Sequence, residues 1–286
     1  MTIHRNVRSL VLATLLSAAV VAWPSAQQAT DAVTVTLSDP ARIANVRIEV
    51  FTGNVEIRGE NRKDVLVTPR PRNDNDNDNR PGRGGRRGRG AADDVPPGLT
   101  KLSQPGGFSI TEADNFVSIE SGPTRPVDIE VRVPSRTNLR VEGINGQQIT
   151  VENVEGDIEI EHTNGAIRAV NVAGSVVAET TNGAVTVVLN RMTADKAMAF
   201  ASLNGNVDVT LPRTAKATLR MQTENGDVYT DFEIQTRATT AQPRVGGGGP
   251  RSIDVNRAIV GSINGGGPEF TLRTFNGNVY LRRGPQ

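Results

Sequence analysis

The chain has no cysteine, two histidines and an aromatic content of 3%. Without cysteine there is no disulfide, no thiol chemistry and no lipid-modified cysteine. His4 lies in a leader segment, so His162 is the one histidine of the remaining chain. A general base, a metal ligand and a nucleophile's partner would all have to be that residue. Zinc sites and the usual nucleophilic triads are therefore set aside, and neither a metal nor a cofactor is expected. Sugar sites normally use aromatic rings, and with Trp23 in the leader only Tyr229 and Tyr280 offer tyrosine rings. The net charge of +1 supplies no global field that would point to nucleic acid or an acidic surface.

Long hydrophobic runs are also missing. The apolar run at residues 10–22 has 13 residues, short of the roughly 20 that span a bilayer as a helix. Arg5 and Arg8 precede it, and Ala22 and Ala26 end plausible cleavage motifs. Residues 1–26 read as a signal peptide. The remaining chain is expected outside the cytoplasm, in the periplasm or at the cell surface, with no membrane span after cleavage.

What the chain does have is an internal repeat. Residues 145–189 read NGQQITVENVEGDIEIEHTNGAIRAVNVAGSVVAETTNGAVTVVL, with Gly156, Gly165, Gly174 and Gly183 nine apart. The unit NVEGDIEIEHTNGAIRAV is followed 18 residues on by NVAGSVVAETTNGAVTVV. Inside it Ile158 and Ile160 alternate with Asp157, Glu159 and Glu161, the pattern of a strand with one buried face. A five-residue strand cannot bury that face alone. Stacking equivalent strands of successive copies about 4.8 Å apart pairs their backbones and builds a continuous core. The expectation is all-β: a β-solenoid of stacked parallel coils of 18–22 residues.

Its corners are predicted at Asn164-Gly165, Asn182-Gly183, Asn204-Gly205, Asn225-Gly226 and Asn276-Gly277, with variants at Thr52-Gly53-Asn54 and Ile263-Asn264-Gly265. Gly and Asn tolerate the positive φ that a sharp corner needs. Asn-Gly is also the strongest hairpin signal, but a hairpin meander would not require strands on both sides of each corner to repeat in register. In the stacked reading Asn164, Asn182, Asn204, Asn225 and Asn276 form a ladder of amides. Asn276, near the end of the chain, is expected close to the terminal coil with a neighbour on one side.

The solenoid is expected over residues 31–283, interrupted twice. Residues 70–98 alternate Asn and Asp, then carry Arg80, Arg83, Arg86, Arg87 and Arg89 among glycines. Nothing there can be buried, so a disordered loop is expected. Asp74, Asp76 and Asp78 match the start of a calcium loop, but Asn79 and Gly85 fall where Gly and Glu belong. Residues 236–250, with four consecutive glycines, read as a second flexible loop.

The order of motifs carries a resemblance. Residues 131–151, VRVPSRTNLRVEGINGQQITV, and residues 209–230, VTLPRTAKATLRMQTENGDVYT, share strand, Pro, polar turn, Leu-Arg strand and Asn-Gly corner. Followed by the repeated N-G series behind a signal peptide, this resembles the bacterial putative-adhesin family, a domain-of-unknown-function family of β-strand repeats. The resemblance implies a β-solenoid at the cell envelope with an adhesive or scaffolding role, and it transfers no catalytic residue. The partner would be an envelope polymer or protein, not nucleic acid, and the ends of a solenoid would also allow end-to-end self-association. The alternative is a glycoside hydrolase or lyase on envelope polysaccharide. It would use carboxylates on one flank: Asp157, Glu159 and Glu161, with Glu179 one coil away.

Overall fold

Apolar side chains alternate with polar ones along residues 155–182, and Ile158, Ile160, Ile167, Ala169, Val172, Val176 and Ala178 are all buried. That alternation recurs through the computed structural model, which describes residues 32–71, 108–123, 126–193, 195–236 and 258–285. The expected signal peptide, residues 1–26, most of residues 70–98 and most of residues 236–250 lie outside the described residues. Where they meet, strand replaces expected loop: β4 (Asp64–Pro71) takes in Arg70 and Pro71, and β15 (Gln235–Thr236) takes in Thr236.

The described chain is a two-faced β-solenoid. Each coil lays one strand on a first face, turns an Asn-Gly or related corner, and lays the next strand on a second face. The first face stacks, in spatial order, β6 (Phe116–Ser121), β2 (Ala44–Thr52) and the start of β8 (Thr137–Glu152). Two separate stretches of β9 (Glu155–Asn182) follow, then β11 (Met198–Asn204), β17 (Glu269–Asn276) and β13 (Ala217–Asn225). The second face stacks β7 (Val127–Pro134), β3 (Val55–Glu60), the end of β8 and the middle of β9. It continues with β10 (Val185–Met192), β12 (Val207–Leu211), β18 (Val279–Arg283) and β14 (Val228–Thr230). These pairings are parallel, so the corners join faces rather than close hairpins.

Antiparallel strands finish the stack. β5 (Phe108–Ala113) folds back on β6, β4 lies on β7, and β1 (Val33–Thr36) lies on β4. At the other end β16 (Ile259–Ile263) lies on β13, and β15 on β16. The β5–β6 connection is a true hairpin: Asp114 and Asn115 both have positive φ, 51° and 63°, as a two-residue turn of the mirror-image type requires. At the corners of Asn164, Asn182, Asn204, Asn225 and Asn276 only the following glycine does, as at Gly183 (φ 156°), whereas corners on the opposite side place Asn153 and Asn171 at φ 59° and 56°.

The stacking order departs from chain order at both ends. The coil of β2 and β3 lies between the coil of β6 and β7 and the coil of β8. The coil of β17 and β18, last in sequence, lies between β11–β12 and β13–β14. Asn276 therefore has neighbours on both sides, Asn204 and Asn225, and the expectation that it sits by the terminal coil is corrected. Ile263-Asn264-Gly265 is not a ladder corner either. Asn264 turns the chain from β16 toward β17, and its amide donates to the carbonyls of Arg213 and Ala215 at 2.9 and 2.7 Å.

The core lies between the faces and is filled mainly by Val, Ile and Leu. Fully buried side chains of this kind contribute about 1.5–3 kcal/mol each. A small residue makes room for a large ring: Phe200, fully buried, sits in register with Ala178 on one side and Leu272 on the other.

Candidate functional site

Glycine lets the corners approach one another. A Cβ on Gly183 would stand 2.2 Å from the Gly165 carbonyl oxygen, and one on Gly205 would stand 2.1 Å from that of Gly183. Beside this glycine column runs the amide ladder: Asn164 donates to Asn145, Asn182 to Asn164, Asn204 to Asn182, Asn276 to Asn204 and Asn225 to Asn276, at 2.7–2.9 Å. Asn145 is a rung that the predicted series did not include. Just inside the corners, hydroxyls donate to glycine carbonyls of the preceding coil: Thr180 to Gly165, Ser202 to Gly183, Thr274 to Gly205 and Thr223 to Gly277.

His162 occupies the equivalent place in its coil, in register with Gly143. It is 4% exposed, and neither ring nitrogen has a hydrogen-bond partner. Gly143 makes room for it, since a Cβ there would lie 2.9 Å from the imidazole Cδ2. Burial pushes the His162 pKa below its ordinary value; the backbone at Gly165 and Ala166 offsets part of that shift without reaching hydrogen-bond geometry. His162 is thus a buried corner side chain rather than a surface base.

The ladder flanks a groove of about 710 Å³ on the first face. One edge is the column of residues just before the corner asparagines. Phe51, Ile144, Leu203 and Phe275 are each 39–48% exposed there, with Thr163 and Thr181 between them in the stack. Two positions earlier on the same face runs a column of glutamates on successive coils: Glu120, Glu49, Glu142, Glu161 and Glu179. Arg47 pairs with Glu49 and Glu142, and Arg140 with Glu142, Glu159 and Glu161. Glu120 accepts from the Ser118 hydroxyl at 3.1 Å. Glu179 has no cation beside it among the described residues.

The carboxylates named for glycan chemistry are held differently from a hydrolase pair. Lys196 donates to both oxygens of Asp157 at 2.6 and 2.7 Å, and with the Ser175 hydroxyl it holds the Asp157 carboxyl below the usual carboxylate range. A general acid needs the opposite shift. Glu159 and Glu161 share Arg140. Tyr229 and Tyr280 do come together, stacked with ring centroids 5.3 Å apart, but on the second face, away from these groups. Arg282 covers Tyr280 and pairs with Asp208.

Residues 130–259 match the family model described as Toastrack DUF4097. This supports the resemblance drawn from the N-G series, to a putative-adhesin family of unknown function. The Toastrack match opens in β7 and closes at the first residue of β16, so the coil of β2 and β3 and the coil of β17 and β18 fall outside it. Both build the same corners and continue the same groove. Two solved structures are similar in part. One is a putative cell adhesion protein from Clostridium sporogenes ATCC 15579, at a TM-score of 0.41 and 8% identity over 88% of this chain and 99% of that one. The other is a putative adhesin from Bacteroides fragilis NCTC 9343, at a TM-score of 0.31 and 8% identity over 88% and 95%. No curated protein matches.

Proposed function

We propose that the protein is an exported, non-enzymatic, adhesin-like binding module of the cell envelope, and that it engages its partner through the groove of the first face. The observation that carries this reading is the groove itself. Successive coils each add outward side chains to one continuous surface, with exposed apolar side chains along one edge and carboxylates along the other. Scattered apolar residues on a surface need no explanation, whereas two adjacent apolar pairs, Phe51 with Ile144 and Leu203 with Phe275, aligned on one groove edge and rimmed by polar groups suit an interaction site. The leader-like residues 1–26 and the Toastrack match support the envelope setting.

The test is a pull-down from envelope extract with the chain from residue 27 onward, beside the double variant Phe51→Asp, Leu203→Asp. Both positions point outward, so the variant should keep its fold. It is expected to lose the partners that the unaltered chain captures. Identical capture by both chains would remove the groove from the reading. Release of reducing ends from envelope polysaccharide would replace the binding module with the enzyme.

A further inference from the structure

The glutamate column opposes its own stack. Like charges directly across neighbouring strands are destabilising, and Glu120, Glu49, Glu142, Glu161 and Glu179 occupy successive coils about 4.8 Å apart. Arg47 and Arg140 offset the middle of the column only. The groove therefore presents surplus negative charge beside an apolar edge, which suits an extended cationic chain with aliphatic stems.

Such a chain begins and ends at the groove's mouth. Residues 72–107 leave from Pro71, which pairs with Val127, and the Val127 carbonyl stands against the Gly53 corner. They return at Phe108, which pairs with Ser121, and the Ser121 hydroxyl accepts from the Phe51 amide at 3.0 Å. Ser121 and Phe51 both line the groove. Between these ends lie Arg80, Arg83, Arg86, Arg87 and Arg89, spaced largely by glycine. Nine residues from Pro71 to Arg80 reach up to about 30 Å. The acidic column from Glu120 to Glu179 covers four coil spacings, about 19 Å.

We propose that the groove is a docking site for this chain's own arginine–glycine tract, residues 80–89. The guanidinium groups lie along the glutamate column, the glycines let the tract's backbone come close to the floor, and Arg stems or guanidinium faces cover Phe51 and Ile144. Tethering at both ends supplies the tract at high effective concentration, so individually weak exposed ion pairs add up to an occupied groove. A partner of the groove must then displace the tract.

The absence of cysteine makes the test direct. Gly88→Cys in the chain from residue 27 onward takes a single nitroxide label, and paramagnetic broadening of backbone amides reports what it approaches. The expected result is loss of most of the signal at Glu49, Phe51, Ile144 and Thr163, with Thr186 and Thr210 on the second face unaffected. The signals should return at 1 M salt, where the screening length falls from about 10 Å at 0.1 M to about 3 Å. They should also return when the five arginines are replaced by serine. Equal broadening of both faces, or broadening indifferent to salt, would overturn the proposal. So would broadening of an unlabelled, isotope-enriched copy mixed with the labelled one, because the occupant would then be a second molecule.

Discussion

The central coils and the terminal coils of this solenoid look alike in section and differ in how the chain reaches them. From β8 to β11 each coil follows its predecessor in both sequence and space. At each end two coils exchange places: β2 and β3 lie inside β6 and β7, and β17 and β18 lie inside β13 and β14. Both exchanges coincide with a long connecting segment, residues 72–107 at one end and residues 237–257 at the other. A short corner can only deliver the chain to the adjacent slot. A long connection lets it skip a slot and return, and loop closure grows costly only slowly with length. The result places an antiparallel strand at each end of the stack, where exposed parallel edges would otherwise invite further pairing.

The largest expected effect comes from breaking the exchange. In a solenoid stacked in chain order, removing the last coil would cost one interface. Here truncation after residue 257 removes β16, β17 and β18, and with them, among the described residues, both strand partners of β13 and the only strand partner of β14. Amide exchange should show residues 217–230 unprotected while residues 137–182 keep their protection. Protection retained across residues 217–225 would mean that β13 can pair directly with β11, and that the exchanged order is a preference rather than a requirement.

Much of the section of this molecule was legible and much of its order was not. Corner chemistry is local: Asn followed by Gly at 164, 182, 204, 225 and 276 states where the chain turns, and period-two alternation states which side chains go in. Stacking order is not local. Nothing in the residues around Asn276 distinguishes a coil that caps the stack from one slotted between two others. The groove was half legible. Glu142, Glu161 and Glu179 stand three places before the corner residues Asn145, Asn164 and Asn182, so aligning the copies on their corners would have found that part of the column. Ile144, Leu203 and Phe275, just before the corner residues Asn145, Asn204 and Asn276, would have given the apolar edge. Glu120 could not be found this way, because it joins the column only through the exchanged coil.

The amide ladder gives a finer version of the same comparison. Asn182 and Asn276 each hold two rungs, whereas Asn225 donates to Asn276 and ends the ladder. Replacing either of the first two by Ala should cost about 1–2 kcal/mol, since two hydrogen bonds are lost and one neighbour's donor loses its acceptor. Asn225→Ala should cost about half as much. Thermal unfolding of the three variants ranks them. A smaller loss for Asn276→Ala than for Asn225→Ala would restore chain order and sink the exchanged arrangement.

The smallest effect is confined to the central coils and depends on pH. Thr180, Ser202, Thr274 and Thr223 each satisfy their hydroxyl on a glycine carbonyl of the preceding coil, while His162 fills the same column with both nitrogens unpartnered. Its folded-state pKa is lowered by burial, so the unfolded chain binds the proton more readily than the folded one. Stability then rises with pH across the interval between the folded value and the unfolded value near 6.5. The contribution is fully present above that unfolded value and is lost as pH falls through the folded one. Chemical denaturation followed from pH 8 toward pH 5 should show this slope in the unaltered chain. His162→Thr, which places in the column the residue type found one coil on, should flatten it. An unchanged slope in that variant would assign the pH dependence to groups other than His162; Asp157 and Glu112, whose lowered pKa values also favour the folded state at higher pH, lose their contribution only below their unfolded values of about 4. The two sources separate by where they begin: the histidine loss begins as pH falls through about 6.5, and the carboxylate losses begin only near their unfolded values of about 4.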